Sequence, residues 1–245
     1  WPFSRELEPK QFMKIIGQDS LLQSTIMRLK GLVDPKRTYI VTNRIHFYEV
    51  KAQISQFKIP ESNIILEQQG KNTAPAIGLT ASLISRQDKE AVLLVLPSDH
   101  YIKNTPSFRQ TMQQAVVCAN RGFLVTLGIK PRAPSPGYGY IKTGSKAEGC
   151  WKVEKFLEKP DLAKAKQYFK GRSFYWNSGI FVWKASVLLE EIKKYLPDLF
   201  ANLGRINSCA DIPRVWKRIV PISIDYGIME HSRRIVLIPA SFYWT

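Results

Sequence analysis

Short apolar runs alternate with amphipathic segments through residues 1–136, and this rhythm constrains the fold more than any other feature of the sequence. The runs RTYIVTN, NIILEQ, AVLLVLPSD and FLVTLGI are rich in β-branched residues, which predicts strands buried on both faces. The intervening segments repeat apolar residues at helical spacing, and the first follows a predicted N-cap at Asp19-Ser20. We therefore expect helices on both faces of a largely parallel sheet, a doubly wound α/β arrangement.

The pattern changes in residues 137–245. The segments GYGYIKTG, CWKVEKFLEKP and SFYWNSGIFVW predict extended chain, with helices at 161–169 and 185–196 between them. A short helix at IDYGIME and a final strand at RRIVLIPA complete the pattern. Because no repeat or flexible linker divides the two parts, we expect one domain over residues 1–245 with a Rossmann-like, doubly wound mixed sheet.

The formal charge of +16, from 36 basic and 20 acidic residues, favours anionic partners. The basic residues are spread through segments such as DLAKAKQYFKGR, and no zinc-finger or aromatic RNA-binding motif accompanies them. Phosphorylated small molecules would satisfy the charge equally well, and we expect no nucleic acid as a partner.

The cysteines Cys118, Cys150 and Cys209 are odd in number and far apart, which argues against a disulfide framework and a zinc site.

No apolar run of about 18 residues and no signal-peptide pattern is visible in the sequence. We therefore expect a cytoplasmic protein that does not bind a membrane.

Asp99 ends the buried run LLVLPSDH, at the sheet edge where open α/β sheets bind ligands. Magnesium commonly takes one or two carboxylates together with substrate phosphates, so Asp99 is a candidate ligand. A cap on the following turn is an equally acceptable interpretation of Asp99. Lys10, after Pro9, is either a phosphate contact or one surface lysine among many.

The segment QGKNTAPAIG places Asn72 and Thr73 before a predicted helix start. These side chains either cap that helix or face a nucleobase. In VEKFLEKP, alternation along a strand would point Glu158 and Lys159 to opposite sides. They could contact different ligand groups there, or they could simply form a charged strand edge. Asn177 lies among aromatic residues in WNSGIFVW, and an amide there could bind sugar hydroxyls.

In chain order, WPFSRELEPKQF, QGKNTAPAIG, LLVLPSDH, GYGYIKTG, VEKFLEKP, WNSGIFVW, SIDYGIME and IPASFYW together resemble the bacterial mannose-1-phosphate guanylyltransferases. The match runs through essentially the whole chain. It implies transfer of GMP from GTP to mannose 1-phosphate with Mg²⁺, giving GDP-mannose and pyrophosphate. Residues 1–136 would then form the nucleotide-binding half and residues 137–245 the sugar-phosphate-binding half. The resemblance leaves open a homo-oligomer.

The resemblance also implies roles for individual residues. Lys10 and Asp99 would be catalytic, with Asp99 holding the metal ion and Lys10 neutralising triphosphate charge. The nucleotide-binding set would be Lys10, Asn72, Thr73, Pro97 and Ser98. The sugar-phosphate-binding set would be Tyr138, Gly139, Glu158, Lys159 and Asn177.

The chain departs from the family pattern in three places. The pattern has a glycine-rich loop, G-G-x-G-x-R-L, just before W-P, and it continues F-x-W-x-D where this sequence reaches Thr245, so we expect motifs outside both ends. The family usually has a lysine where this chain has His231. These departures leave open a sister nucleotidyltransferase, such as a glucose-1-phosphate thymidylyltransferase, or a non-catalytic nucleotide-sugar binding module. Nucleic-acid binding driven by the charge is a third, weaker alternative.

Overall fold

The alternation predicted for the first half is present in the computed structural model, which describes residues 9–147 and 149–245. A 3₁₀ turn, Lys10–Phe12, precedes the first helix, and a π-helical turn, Asp225–Met229, precedes the last strand. The helices are α1 (Leu21–Arg28), α2 (Phe47–Ile54), α3 (Thr73–Gln87), α4 (Thr105–Asn120), α5 (Leu162–Lys170), α6 (Ala185–Tyr195), α7 (Pro197–Leu203) and α8 (Ile212–Trp216). The strands are β1 (Ile40–Asn43), β2 (Ile64–Glu67), β3 (Val92–Val95), β4 (Leu124–Ile129), β5 (Tyr140–Ala147), β6 (Cys150–Leu157), β7 (Phe174–Lys184) and β8 (Ile235–Pro239).

The predicted cap of the first helix is confirmed. Ser20 precedes α1, and its hydroxyl accepts a hydrogen bond from the backbone N–H of Gln23 over 3.1 Å. The side chain of Gln23 accepts in return from the backbone N–H of Ser20 over 3.0 Å, which completes a capping box.

The main sheet has six strands in the order β3-β7-β4-β8-β6-β5. Strand β7 pairs antiparallel with both β3 and β4, while β4 and β8 pair in parallel. The fold class, a doubly wound α/β domain with a mixed sheet, is confirmed. The expectation of a largely parallel sheet is wrong at β3 and β4, because β7 lies between them. Continuous apolar runs report burial on both faces, and they do not fix the direction of the neighbouring strand.

Strands β1 and β2 form a separate parallel pair, with Ile40 opposite Ile64 and Asn43 opposite Glu67. Both strands therefore end at the same edge, where Glu67 begins the segment that leads to α3.

Hydrophobic residues cover both faces of the main sheet. On β4, Leu124 packs into a cluster that includes residues of α3 and α6, whereas Val125 packs into a cluster that includes residues of α4. On β8, Leu237 and Val236 divide between these clusters in the same way. Helices on both sides of the sheet explain why its central strands contain so few polar residues.

No helix in the described ranges is long and apolar enough to cross a membrane.

Candidate active site

Two predicted site residues lie close together: Lys10 in the 3₁₀ turn and Asp99 in the segment after β3. Nζ of Lys10 lies 3.9 Å from Oδ2 of Asp99, and the side chains are 47% and 46% exposed. An ion pair this open and this long contributes little to stability. Both charges are therefore available to a ligand that binds between them.

His100 follows Asp99 in the chain and is held by two hydrogen bonds. The indole Nε1–H of Trp244 donates to Nδ1 of His100 over 3.2 Å, and Nη2 of the buried Arg28 donates to the His100 carbonyl over 3.2 Å. Burial lowers the pKa of His100 to about 4, although the Asp99 charge acts in the opposite direction. A neutral ring with Nδ1 as acceptor is consistent with the hydrogen bond from Trp244.

The last described residues run beside this segment. Ile102 and Trp244 form an antiparallel bridge. The backbone groups of Tyr101 and Thr245 exchange hydrogen bonds of 2.9 and 3.1 Å.

Asn72 and Thr73 stand at the start of α3. Oδ1 of Asn72 accepts from the backbone N–H of Thr73 over 2.8 Å, and Oγ1 of Thr73 accepts from the backbone N–H of Ile224 over 2.8 Å. The capping interpretation is therefore confirmed for Asn72 but not for Thr73, whose hydroxyl binds a backbone group distant in the sequence. Contact of either side chain with a nucleobase stays a prediction. Asn72 has φ = +68° and ψ = −173°, a costly conformation for a residue with a side chain. Such strain is found most often where a loop holds a ligand.

Asn177 forms hydrogen bonds with several neighbouring residues. We call Asn177, Gly139, Glu158 and Asp225 the Asn177 cluster. The backbone N–H of Asn177 donates to the Gly139 carbonyl over 2.8 Å, its Nδ2 donates to Oδ1 of Asp225 over 2.9 Å, and its Oδ1 accepts from the Gly179 N–H over 3.0 Å. The amide is thus held in one orientation.

Gly139 lies against Glu158. A Cβ atom added to Gly139 would be 2.5 Å from Oε2 of Glu158, which is closer than carbon and oxygen can approach. The glycine is therefore required for the Glu158 carboxylate to occupy this position.

The expected divergence of Glu158 and Lys159 is wrong. Strand β6 ends at Leu157, and Lys159 has φ = +40°, so the alternation of a strand stops before the pair. Nζ of Lys159 instead lies 3.2 Å from Oε1 of Glu158. Glu158 is 11% exposed in its side chain and Lys159 is 63% exposed, so the ammonium group faces solvent at the rim of the cluster.

Asp225 belongs to this cluster although the sequence analysis did not select it. Burial, and then the nearby charge of Glu158, raise the pKa of Asp225 to about 6, while the hydrogen bond from Asn177 acts in the opposite direction. The motif SIDYGIME predicts a helix and is one motif of the family resemblance, and neither use assigns a role to Asp225.

Glu67 was also missed. Burial raises the pKa of its carboxyl group to about 7, and its Oε1 is buried without a hydrogen-bond partner in the part of the chain that the structure describes. Like Asp99, Glu67 is an acidic residue at the end of an apolar run, and this parallel in the sequence could have identified it.

The other predicted residues lie around these groups. The ring of Tyr138 packs between Trp176 and Trp244, with centroid distances of 4.8 and 5.2 Å. Pro97 lies against Gly179, where an added Cβ would be 3.4 Å from Cγ of the proline, and this contact links the Asp99 segment to the Asn177 cluster. Ser98 is partly exposed. His231, where the family pattern has lysine, stacks on Tyr195 at 5.8 Å.

The described residues contain no group of three or more His, Cys, Asp or Glu side chains arranged to hold a metal ion. Magnesium binding therefore stays a prediction that depends on Asp99 and on phosphate oxygens from a substrate.

A family model described as nucleotidyl transferase matches residues 1–205. The xanthan biosynthesis protein XanB of Xanthomonas campestris pv. campestris is 40% identical over 252 residues, and a mannose-1-phosphate guanylyltransferase of Escherichia coli is 39% identical over 257 residues. In both comparisons all of this chain is covered, and the chain spans 54% of the relative's length.

Two solved structures resemble the whole chain. One is described as mannose-1-phosphate geranyltransferase from Thermus thermophilus, with a TM-score of 0.90 and 32% identity over 100% of this chain and 71% of that one. The other is described as mannose-6-phosphate isomerase from Helicobacter pylori, with a TM-score of 0.86 and 34% identity over 98% of this chain and 96% of that one.

Proposed function

Because this chain belongs to the nucleotidyl transferase family, we propose that the protein transfers GMP from GTP to mannose 1-phosphate, forming GDP-mannose and pyrophosphate. The observation that carries the proposal is a contact between the two groups of predicted site residues. Lys10 and Asp99 belong to the first group and the Asn177 cluster is the second. Pro97, close to Asp99 in the chain, packs against Gly179, close to Asn177. The similarity to the guanylyltransferase of E. coli supports the choice of substrates.

The proposed reaction is an in-line displacement. A phosphate oxygen of mannose 1-phosphate forms a bond to the α-phosphorus of GTP, while the bond from that phosphorus to the bridging oxygen of the β-phosphate breaks and pyrophosphate leaves. Such a reaction needs positioning and neutralisation of charge more than a nucleophile from the protein. Lys10 would neutralise the triphosphate, and the cluster of Gly139, Glu158 and Asn177 would orient the sugar.

The donor chemistry of Asp99 fits a magnesium ion. Its carboxylate is about half exposed (46%) after the end of β3, and magnesium commonly takes one or two carboxylates together with substrate phosphates. When bound, the ion would neutralise phosphate charge. Lys10, only 3.9 Å from the same carboxylate, would neutralise phosphate charge alongside it.

We attribute the protein's net charge of +16 to the binding of these phosphorylated substrates rather than to the binding of nucleic acid. Binding of unrelated DNA that falls steeply with added salt would contradict this assignment, because counterion release makes such binding salt-dependent.

Pyrophosphate release tests the proposed function. GTP and dTTP are each combined with mannose 1-phosphate or glucose 1-phosphate in the presence of Mg²⁺, using this 245-residue chain and a longer chain that carries the flanking family motifs. The guanylyltransferase proposal predicts release with GTP and mannose 1-phosphate above the other pairs. Preference for another pair would indicate a sister enzyme, and no release from either chain would indicate a binding module.

Asp99→Asn tests the site within that assay. We expect kcat to fall about 100-fold or more, because a group that neutralises transition-state charge is removed. Thermal unfolding should be unchanged, since the Asp99 side chain is half exposed. A variant that unfolds would instead assign Asp99 a structural role.

A further inference from the structure

Three arginines line one small cavity beside α7 and α8. Arg205 follows α7, Arg214 lies in α8 and Arg218 follows α8, and all three residues are exposed. Together with Val215 they line a cavity of about 80 Å³, which is several times the volume that one water molecule needs. A small ligand in solution can therefore reach all three guanidinium groups.

The positive charge around this cavity is largely unpaired. Nη2 of Arg214 lies 3.3 Å from Oδ1 of Asp211. Arg205 and Arg218 have no ion pair and no side-chain hydrogen bond among the described residues. Positive charges around one small cavity repel each other, and a bound anion would relieve that repulsion. The cavity therefore favours an anionic ligand.

A larger groove begins at the same arginines. Arg205 and Arg218 also line a groove of about 520 Å³, a volume within the range of small-molecule sites. The groove is mainly apolar, with Leu196 and Val220 in its lining, and Asp198 is the one carboxylate among its described lining residues. Val220 is 75% exposed, which leaves apolar surface free for a ligand. A ligand with an anionic group and an apolar ring would fit both parts.

The groove is connected to the loop that precedes α3. Ile222 lines the groove, and its backbone N–H donates to the Lys71 carbonyl over 3.1 Å. The carbonyl of Ile222 accepts from the backbone N–H of Ala74, also over 3.1 Å. Lys71 and Ala74 flank Asn72 and Thr73, the residues predicted to lie beside the nucleotide base. A ligand in the groove would therefore contact a residue whose backbone holds this loop.

We propose that Arg205, Arg214 and Arg218 bind the phosphate group of a small molecule whose apolar ring lies in the groove. Guanidinium groups suit phosphate because their paired N–H donors match the spacing of its oxygens. This site shares no residue with the Lys10–Asp99 pair, so it is a second anion site. Through Ile222 its occupant would change the affinity for GTP. Only this last effect rests on the proposed function.

Calorimetric titration tests the binding, with inorganic phosphate and phenyl phosphate as the probes at constant ionic strength. Phenyl phosphate adds a ring to the same charged group, so we expect it to bind the parent about 10-fold more tightly. Arg218→Gln should weaken the binding of both probes about 10-fold or more, because it removes charged donors. Arg218→Lys, which keeps the charge without the paired donors, should weaken it less, and it replaces Arg218→Gln if that variant fails to fold.

Two control variants locate the bound probe. Arg37→Gln removes an exposed arginine that has no side-chain partner among the described residues, and it should bind like the parent. Lys10→Met should keep the binding that Arg218→Gln loses. Equal losses in Arg37→Gln and Arg218→Gln would overturn the proposal, because only general positive charge would then act. A loss in Lys10→Met alone would place the anion at the predicted nucleotide site, with the same consequence. Equal affinity for the two probes would exclude the groove and leave the anion site.

Kinetics test the connection to GTP. KM for GTP is measured by pyrophosphate release with and without phenyl phosphate, in the parent and in Arg218→Gln. We expect a change of about 5-fold or more in the parent and none in the variant. An equal change in both would indicate competition at the nucleotide site, and no change in the parent would also contradict the connection. Absence of pyrophosphate release from every form would overturn the proposed function, while the calorimetric result would still decide whether the arginines bind phosphate.

Discussion

The side-chain amide of Asn177 donates from Nδ2 to Oδ1 of Asp225 over 2.9 Å and so joins β7 to the π-helical turn. The backbone N–H of Ile224, the preceding residue, donates to Oγ1 of Thr73 at the start of α3. Two neighbouring residues near the C-terminus thus connect the predicted nucleotide-binding and sugar-binding residues, which are more than a hundred positions apart in the sequence.

Asp225→Asn should change how stability depends on pH. The pKa of Asp225 is raised from 3.8 to about 6, so the folded protein holds this proton more tightly than the unfolded chain. Asp225 therefore favours folding at low pH, and this contribution is lost as the pH rises from about 4 to about 6. The variant lacks the effect, so its free energy of unfolding relative to the parent should rise over that interval, by at most about 1.4 kcal/mol per pH unit.

Urea denaturation at several pH values between 4.5 and 7.5 measures this difference, because subtraction removes contributions that parent and variant share. A difference between Asp225→Asn and the parent that does not vary with pH would contradict the raised pKa of Asp225.

Gly139→Ala should disturb the sugar-binding cluster. The new Cβ would be 2.5 Å from Oε2 of Glu158, so this carboxylate must move. We expect kcat/KM for mannose 1-phosphate to fall about 10- to 100-fold, because small displacements of positioning groups are costly. Steady-state kinetics with varied mannose 1-phosphate measure the effect. Gly137→Ala is the matched control, since its Cβ would meet Ser135 Oγ at an ordinary 3.5 Å. Equal losses in both variants would argue against a specific role for Gly139.

Lys10→Met should lower kcat for GTP about 100-fold, because the ammonium group beside Asp99 would no longer neutralise phosphate charge. The exposed side chain makes a large loss of stability unexpected, so thermal unfolding should change by less than about 2 °C. Lys14→Met removes an exposed charge nearby and should leave kcat unchanged. Comparable activity in the two variants would show that Lys10 acts only as part of the general positive charge.

Trp216→Phe should affect both stability and nucleotide binding. The buried indole N–H holds the Gln69 carbonyl over 2.7 Å, and its loss leaves that carbonyl without this donor. We expect the free energy of unfolding to fall by about 1–3 kcal/mol and KM for GTP to rise more than KM for mannose 1-phosphate.

Trp183→Phe is the control for this variant. Trp183 is equally buried, but its Nε1–H has no hydrogen-bond partner among the described residues. Both substitutions replace a buried indole by a benzene ring, and only Trp216→Phe removes the hydrogen bond to Gln69. Chemical denaturation and kinetics of the pair measure it, and an equal rise of KM for GTP in both would contradict a role for the bond.

Site residues could be predicted from the sequence where they lie directly before or after a recognisable local pattern. Asp99 after an apolar run and Asn72 before a helix start are examples, because strand burial and helix capping depend on near neighbours in the chain. Asp225 could not be selected in this way. Its raised pKa comes from burial and then from the charge of Glu158, which is distant in the sequence.

The sequence by itself determined most of the strands and helices, because hydrophobic periodicity and capping residues act over a few positions. It did not predict α7. Only the tertiary structure decided that β7 lies between β3 and β4, that Lys159 folds back onto Glu158, and that Ile224 and Asp225 bridge Thr73 and Asn177. Strand pairing and side-chain contacts between distant segments depend on how whole surfaces pack, and an apolar run does not specify its partner or direction.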